Sequence, residues 1–455
     1  MKIKRFFAAF LMLLTVVSLS AVPVAADDAV TPVPDPNIQA KAAVLIDAET
    51  GTMLYGKNEH NELYPASLTK IMTALLTQEA VDQGKLSLDQ EITASASALN
   101  GLAADGSSAG IKVGETMTVE NYLKCMLIVS ANEACDVLAE AVSGSVSAFV
   151  DAMNAKAKEL GCQNTHFVNP NGLHDSQHYT SAWDLYLITA EALKYPEFMS
   201  ICDMGVAEIP ASNLSETRRL HTTNYLLSNW RANGYLYSDA HGIKTGSTSE
   251  AGHCLVSSAT KGSRTLISVV LGAERIVGAD GVADVQSFSE TKRLFLWGFE
   301  NFSTKTVLSE LDMLADVPVT LSKIDSVAVH PASAVDLILP NDVKPEELEQ
   351  KLVLPENVKA PVTAGQELGS VELSHNGKVY VSVPLVALNS VEASKLLTFW
   401  DNVQQFFSRT IVKVVLVLLG VLIVIGVVWK LTLGRRRYRY GKPARRSRGY
   451  RGRRR

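Results

Sequence analysis

Cysteine is scarce in this chain of 455 residues, which contains five, at positions 125, 135, 162, 202 and 254. A set that is both small and odd excludes the dense disulfide framework of small exported domains. We therefore expect buried free thiols, at least one of them unpaired within the chain. With 47% hydrophobic residues, the sequence is neither disordered nor fibrous, and it is long enough for two globular domains with appendages.

Acidic residues are absent from the C-terminal segment 434–455, which contains twelve Lys or Arg. Before it, the apolar run 414–429 is bracketed by Lys413 and Lys430 and reaches roughly 20 residues if the lysine stems extend along it. An apolar helix without a polar face is not typical of a buried core helix. The sequence predicts a transmembrane helix at 413–433, followed by a tail that the positive-inside rule keeps in the cytoplasm.

The N-terminus has the three parts of a secretory signal: a basic start, an apolar run and the small residues Val24 and Ala26. We predict a signal peptide at 1–26, with an uncleaved anchor helix as the alternative. A spacer rich in Pro and Asp follows at 27–37. The chain is then a single-pass protein of a bacterial cell membrane, with most of its residues outside the cytoplasm.

Charge is distributed very unevenly along the sequence. The whole chain has a net charge of −4, but the segment between the signal and Lys413 holds all 47 acidic residues and only 26 basic ones, a net charge of −21. Such an acidic ectodomain disfavours a nucleic-acid partner. Contact with anionic lipid accounts for the basic tail, so we predict no nucleic-acid binding.

Hydrophobic spacing divides the ectodomain into two parts. In the first, 38–304, a strand pair at 42–58 precedes a mostly helical stretch, in which Gly161 ends a helix; two strands around Lys261 and a further helix follow. This order predicts an α+β domain.

The second part, 305–395, contains short strands broken by Pro, Asn and Gly and predicts a small β-rich domain. A juxtamembrane segment at 396–412 joins it to the membrane. Four aromatic side chains of this segment are placed to lie near the lipid headgroups, although a plain linker is the alternative: Phe399, Trp400, Phe406 and Phe407.

The stretch PASLTKIMTALL places Ser67 and Lys70 three positions apart at the head of a predicted helix, and therefore on one side of it. A serine hydroxyl becomes an effective nucleophile when a base takes its proton, and a lysine with a lowered pKa can be that base. The backbone N–H of Ser67 could also stabilise an oxyanion. Alone, the pair is more typical of an N-cap serine with a surface lysine than of a catalytic site.

Two further fragments strengthen the catalytic interpretation. In SAN, Ser130 and Asn132 interrupt an apolar helical run, although both residue types disfavour a helix interior. In KTG, Lys244, Thr245 and Gly246 begin a β segment, where glycine permits close approach of a substrate backbone. In this order and at these separations, the three motifs are those of penicillin-binding proteins and class A β-lactamases.

Together with NPNGLHDSQHYTSAWDLYLIT and GIKTGSTSEAGHCLVSSAT, these motifs resemble the D-alanyl-D-alanine carboxypeptidases, which are low-molecular-mass penicillin-binding proteins. The resemblance covers roughly residues 40–395. It implies a serine β-lactamase/penicillin-binding transpeptidase-like domain, with an antiparallel sheet and a helical cluster, followed by a small all-β domain and the transmembrane helix.

The resemblance also implies residue roles. Ser67 would be the acylated nucleophile, Lys70 its general base and Ser130 the proton shuttle to the leaving D-alanine. The substrate would be a peptidoglycan stem peptide ending in D-Ala-D-Ala, with β-lactams as covalent inhibitors and no cofactor or metal. The substrate-binding residues would be Asn132 at the amide, Lys244 beside the proton network, Thr245 at the carboxylate, Gly246, and Ser247 through its backbone N–H.

The sequence departs from the family pattern at two places. Asn132 follows an alanine where many relatives have glycine, a change that we expect to be tolerated. An apparent insertion follows the VVLGA strand, so that Arg275 is only a candidate for the arginine that assists carboxylate binding in relatives.

Three alternatives to the carboxypeptidase are a class A β-lactamase, a β-lactam sensor or inactive module, and a metal enzyme. A class A β-lactamase would carry a Glu-x-x-Leu-Asn pattern, which does not occur between 133 and 243. A membrane-anchored β-lactam sensor or inactive binding module would not release D-alanine, and the short basic tail offers no signalling domain. A metal site at His174 and His178 would need a third ligand, and the spacing of the sequence indicates none. We expect both histidines to be structural.

Overall fold

The structure, a computed structural model, describes residues 33–100, 102, 106–279 and 281–434. The predicted signal peptide, most of the spacer and nearly all of the basic tail lie outside these residues. The helices are α1 (Lys70–Asp82), α2 (Val119–Ile128), α3 (Asn132–Ser143), α4 (Val146–Glu159), α5 (Ala182–Ala192), α6 (Pro196–Cys202), α7 (Gln286–Asn301), α8 (Lys395–Ser408) and α9 (Thr410–Gly434).

The strands are short in most of the chain and longest in the two main sheets. In chain order they are β1 (Ala42–Asp47), β2 (Met53–Lys57), β3 (Glu91–Thr93), β4 (Thr116–Thr118), β5 (Val206–Ile209), β6 (Arg218–His221), β7 (Ala240–Thr248), β8 (Gly252–Lys261), β9 (Arg264–Ala273), β10 (Arg275–Val277), β11 (Ala283–Val285), β12 (Phe302–Leu308), β13 (Ala315–Thr320), β14 (Ser326–Pro331), β15 (Val335–Pro340), β16 (Glu349–Val353), β17 (Val358–Lys359), β18 (Glu367–His375) and β19 (Lys378–Ala387).

The described residues form two compact units. The N-terminal unit extends to Lys305 and includes Leu337–Lys344, whereas the C-terminal unit consists of Thr306–Asp336 and the residues from Pro345 onward. The α+β class, the separate β-rich part and the apolar C-terminal helix are all as the sequence predicts, and the fold prediction is confirmed.

The N-terminal unit contains a five-stranded antiparallel sheet in the order β2-β1-β9-β8-β7. Successive side chains of a strand point to opposite faces. Accordingly, Val44 and Ile46 of β1 belong to the core under the helices α1–α6, while Ala43 and Leu45 belong to the core under α7. Because both faces are covered, β1 is buried along its whole length.

Local sequence signals set the ends of several helices. Thr118, Ser145 and Ser181 each cap a helix, because their side-chain oxygens accept a hydrogen bond from the backbone N–H three residues later. Gly161 has a φ of +83° just beyond α4, which confirms the predicted helix end.

All five cysteines lie within the described residues and are free thiols. Four are buried, and Cys162 is half-buried. The expectation of free thiols is confirmed, and that of burial is confirmed for four of the five.

The C-terminal unit contains a six-stranded sheet in the order β16-β18-β19-β14-β13-β17. Alternate residues such as Val371, Leu373 and Leu385 form its buried face. The juxtamembrane segment is helical in α8, and its four aromatic side chains are exposed. Within α9, Thr410–Thr432 contains an 18-residue window with a mean hydropathy of 3.2 and is long and apolar enough to span a membrane.

Candidate active site

The first motif forms a tight turn that continues into a helix. Pro65 precedes a 3₁₀ turn at Ala66–Thr69, and α1 begins at Lys70. The Nζ atom of Lys70 lies 2.8 Å from Oγ of Ser67. Ser67 is half-buried, whereas Lys70 is fully buried. The alternative of a surface lysine is therefore wrong, and no side-chain hydrogen bond caps this turn.

A loop from the helical cluster supports the turn. A Cβ atom on Gly172 would lie 1.9 Å from the carbonyl oxygen of Ala66, so only glycine fits there, and its φ is +84°. Thr69 donates a hydrogen bond to the same carbonyl and contacts Nε2 of buried His178 at 2.8 Å. Nδ1 of His178 accepts from the backbone N–H of Val168. Burial lowers the pKa of His178 to about 4, so the ring is neutral near pH 7. Its hydrogen bond to Thr69 stabilises the turn.

Lys70 has two further partners, and both can only accept hydrogen bonds. Its Nζ lies 2.8 Å from Oδ1 of Asn132 and 2.6 Å from the carbonyl oxygen of Asn171. A neutral amine has two N–H groups and one lone pair. When the two amide oxygens take both N–H groups, the lone pair is left for Ser67, the one partner that can donate a proton.

The electrostatics of the buried amine favour this arrangement. Burial lowers the pKa of Lys70, while the nearby Cys135, Asp136 and Glu133 act in the opposite direction. A lysine with a lowered pKa is neutral over a wider pH range. A lowered pKa is the property that a lysine general base requires.

The second motif breaks the helical run that the sequence suggests. Helix α2 ends at Ile128 and α3 begins at Asn132, while Ser130 between them has a φ of +66°. Its Oγ accepts a hydrogen bond from Nζ of Lys244 at 3.0 Å. The break thus brings Ser130 to β7, 114 residues further along the chain.

Lys244 is the second buried amine of the site. Its Nζ also donates to the carbonyl oxygen of Thr245 at 2.9 Å. Burial and the charge of Lys70 lower the pKa of Lys244 to about 7. Two ammonium groups this deeply buried repel each other, so the two lysines favour having one charge between them.

The third motif lies in the middle of β7, the last strand of the sheet. A Cβ atom on Gly246 would lie 2.8 Å from the carbonyl oxygen of Pro65 and 3.3 Å from Cβ of Ala66. The glycine is therefore needed for the strand to approach the turn that carries Ser67. From the sequence, this glycine is expected to allow a substrate backbone to approach. In the structure, the backbone that approaches it is the protein's own, at Pro65.

The three motifs meet in one pocket of ≈ 230 Å³. Thr245 and Thr223 face each other there, with their Oγ1 atoms 2.6 Å apart. Lys70, Lys244 and Asn132 lie behind the pocket wall and reach it through Ser67 and Ser130. The lining residues are Ser67, Ser107, Ser130, Thr223, Tyr225, Thr245, Gly246, Ser247, His253, Cys254, Val285, Ser287 and Phe288.

Sequence comparison relates this chain to a known enzyme family. Residues 29–275, more than half of the chain, match the D-alanyl-D-alanine carboxypeptidase family. The D-alanyl-D-alanine carboxypeptidase DacF of Bacillus subtilis (strain 168) is 33% identical over 361 residues, which are 79% of this chain and 88% of that protein. The chain belongs to the D-alanyl-D-alanine carboxypeptidase family.

Solved structures agree with this family membership. Penicillin-binding protein 5 from Haemophilus influenzae has a TM-score of 0.64 and 30% identity, with 79% of this chain and 99% of that chain covered. The cefotaxime-bound penicillin-binding protein D2 from Listeria monocytogenes has a TM-score of 0.50 and 29% identity, with 58% of this chain and 99% of that chain covered. Residues 302–393 match the C-terminal domain of penicillin-binding protein 5.

The candidate carboxylate-binding arginine of this family member does not line the pocket. Arg275 is the first residue of β10 and is exposed. Its charge nevertheless reaches the pocket wall, because the pKa of His253 is lowered by burial and then by Arg275. Arg275 remains a candidate for carboxylate binding.

Three residues of the site are not predicted from the sequence. Asn171 holds Lys70 through a backbone carbonyl, which any residue type could provide. Thr223 contacts Thr245 from a loop that carries no motif. Asp136 follows Asn132 by one helical turn, and the spacing of four could have drawn attention to it.

Proposed function

We propose that this chain is a serine-type D-Ala-D-Ala carboxypeptidase that removes the terminal D-alanine from peptidoglycan stem pentapeptides through an acyl-enzyme at Ser67. The observation that carries the proposal is the 2.8 Å contact between Ser67 and a buried amine whose two other partners are pure acceptors. Family membership supports the same reaction.

In the acylation step, Lys70 takes the hydroxyl proton of Ser67, and Oγ attacks the carbonyl carbon of the penultimate D-alanine. An ester bond forms and the peptide bond to the last D-alanine breaks. The backbone N–H groups of Ser67 and Ser247 stabilise the oxyanion between these events. Water then hydrolyses the ester and releases the shortened peptide.

Proton transfer to the leaving group follows the second motif. Ser130 gives its hydroxyl proton to the departing amine, and the proton taken up by Lys70 restores the Ser130 hydroxyl. The net transfer is from Ser67 to D-alanine, so Lys70 and Ser130 end the step in their starting protonation states while Ser67 carries the acyl group. Lys244, hydrogen-bonded to Ser130 at 3.0 Å, keeps this network electropositive when protonated.

Substrate binding uses the edge of the sheet. The extended stem peptide pairs with β7, which among the described residues has a sheet neighbour only on the β8 side, and this pairing holds the scissile bond over Ser67. Asn132 offers its amide group to the substrate carbonyl, and Gly246 keeps the strand close to the nucleophile. Thr245 binds the terminal carboxylate, and Arg275 adds positive charge nearby.

The same chemistry makes the chain a target of β-lactams. Attack of Ser67 on the β-lactam carbonyl opens the ring and leaves an ester on the serine. The cefotaxime-bound form of the Listeria relative supports this part of the proposal. Release of D-alanine from a peptide is what separates a carboxypeptidase from a sensor or an inactive module.

We also propose a membrane topology. Helix α9 anchors the protein, with the ectodomain outside the bacterial cell membrane and the basic tail 434–455 in the cytoplasm. The proposed domain boundaries are 38–304 for the catalytic domain and 305–395 for the β domain. They are supported by the family matches at 29–275 and 302–393.

The test uses the full chain in detergent and a pentapeptide ending in D-Ala-D-Ala, with the peptide ending in L-Ala as a control. We expect D-alanine release from the first peptide only. Ser67→Ala should abolish release, whereas Ser147→Ala, at an exposed serine of α4, should not. Wild-type rates in the Ser67→Ala variant would contradict the proposal.

A further inference from the structure

Behind the catalytic amine lies a buried carboxyl group that the proposed reaction does not use. Asp136 is 7% exposed and lies on α3 one turn after Asn132, on the same side of the helix. Its Oδ2 accepts one long hydrogen bond, of 3.4 Å, from Nδ2 of Asn171. Its Oδ1 has no hydrogen-bond partner among the described residues. A buried carboxyl with an unused oxygen costs stability, so packing alone does not explain it.

Asn171 connects this carboxyl to Lys70. Its side chain donates to Asp136, and its backbone carbonyl accepts from Nζ of Lys70 at 2.6 Å. One residue therefore contacts both titratable groups, and both are excluded from water. A charge on either group is screened only weakly under these conditions.

We propose that Asp136 is a positioning residue that controls the protonation state of Lys70: its carboxylate keeps a proton on the lysine, and its neutral form lets the lysine act as a base. This inference rests on the proposed role of Lys70 in acylation. It adds a titratable residue from outside the three motifs to the control of the reaction.

The direction of the coupling follows from the electrostatics. Burial raises the pKa of Asp136 to about 7, with Lys70 and the hydrogen bond from Asn171 acting against burial. The carboxyl is therefore neutral below about pH 7 and charged above it. The negative charge of Asp136 raises the pKa of Lys70, against the lowering by burial. When Asp136 is ionised, Lys70 therefore loses its proton at a higher pH than when Asp136 is neutral.

Other charged groups around Asp136 have partners of their own. Lys70 acts on it from α1, and Glu133 and Glu140 act on it from its own helix. Glu133 accepts hydrogen bonds from Ser108 and the backbone of Ala109. Glu140 accepts from two serine hydroxyls, those of Ser95 and Ser97. Lys70 is therefore the cation against which the charge of Asp136 acts, and Lys70 is itself coupled to Lys244, whose pKa its charge lowers.

The experiment compares pH profiles of acylation. Full-length protein in detergent reacts with a fluorescent penicillin, and the second-order rate constant of Ser67 acylation is measured across the pH range in which the protein is folded. Asp136→Asn keeps the shape and the contact with Asn171 but removes the charge. We expect the acid limb of the acylation profile to shift to lower pH by about one unit. Loss of a nearby negative charge lowers the pKa of Lys70 by about this much.

Two further variants separate charge from packing. Asp136→Leu removes the charge and the contact with Asn171, so the same shift should appear with a lower maximal rate. Asp151→Asn, at an exposed position of α4, should leave the profile unchanged. If Asp136→Asn does not fold, the shift in the Asp136→Leu variant decides the question.

The outcomes distinguish this inference from the proposed function. A wild-type protein that is not acylated at Ser67 would contradict the proposed function itself. A wild-type protein that is acylated, with a profile that superimposes on that of Asp136→Asn, would overturn the role of Asp136 and leave the proposed function standing.

Discussion

The two units of the molecule bury different kinds of side chain. Among the described residues, every buried charged or polar side chain lies in the N-terminal unit, from Asp47 to Thr291. The C-terminal unit buries apolar side chains on one face of its sheet, such as Val371 and Leu373, whereas Glu372 between them is only half-buried. The main sheet of each unit is antiparallel except for the parallel pair β13 and β17, so secondary structure does not explain the difference.

Buried charged groups lower the stability of a fold, and in this chain they are found in the N-terminal unit. Burying an amine or a carboxyl is unfavourable unless hydrogen bonds or opposite charges compensate. Four such groups surround the pocket: Lys70, Glu133, Asp136 and Lys244. For the two lysines the burial has a consequence, because it lowers the pKa of each amine. Among its described residues, the C-terminal unit has no buried amine or carboxyl group. Its buried face consists of apolar side chains, as in an ordinary hydrophobic core.

The largest expected effect concerns the buried base. Lys70→Ala should lower the acylation rate by about 10²- to 10⁴-fold, the usual contribution of a general base. The fold should persist, because removing a buried amine also removes its desolvation cost. Fluorescent-penicillin labelling and circular dichroism check both points, with Lys85→Ala at an exposed lysine as the control. Normal acylation in a folded Lys70→Ala variant would rule out the assigned role.

The turn beneath Ser67 should be almost as sensitive. Gly172→Ala should destabilise the N-terminal unit by about 3 to 5 kcal/mol, because the new Cβ overlaps the Ala66 carbonyl and the φ is positive. Acylation should fall with it. Gly84→Ala has a similar φ of +70° but open space around the Cβ, so it should cost only about 1 kcal/mol. Equal thermal shifts in the two variants would contradict the close approach.

A core substitution in the other unit should separate stability from function. Leu373→Ala should lower the unfolding free energy of the C-terminal unit by about 2 to 5 kcal/mol, as for other buried leucines. Acylation at permissive temperature should stay within about twofold. The control is Val379→Ala, at an exposed position of the neighbouring strand. If acylation fell in parallel with stability, acylation would depend on the core of the C-terminal unit, which contradicts the comparison.

The smallest expected effect tests one polar contact in the pocket. Thr223→Val removes the hydrogen bond to Thr245, which should cost about 0.5 to 1.5 kcal/mol, or roughly two- to tenfold in kcat/KM for the D-Ala-D-Ala peptide. Thr93→Val breaks a similar threonine pair, with Thr116 at an exposed site, and should have no effect on kinetics. If both variants behave alike, the contact at Thr245 has no role in binding.

The sequence predicted those parts of the site that depend on local spacing. Ser67 and Lys70 lie on one turn because they are three residues apart, and their contact needs no distant information. The strand pair around Lys261, the helix end at Gly161 and the β-rich C-terminal part followed from periodicity and turn residues in the same way.

Long-range contacts could not be read from the sequence. The carbonyl of Asn171 lies 101 residues from Lys70, and backbone atoms leave no signature in residue type. The φ of Ser130, +66°, is one that serine rarely adopts, so residue type does not predict it. Gly246 was expected next to a substrate, but only the three-dimensional structure shows that the Pro65 backbone occupies that side.

The most direct test of the account is the location of the covalent bond. Full-length protein is incubated with benzylpenicillin, and the modified residue is identified by intact mass and peptide mapping. The account predicts a single adduct on Ser67, lost in Ser67→Ala and strongly reduced in Lys70→Ala. An adduct on Ser130 or Ser247, or D-alanine release that persists without Ser67, would contradict it.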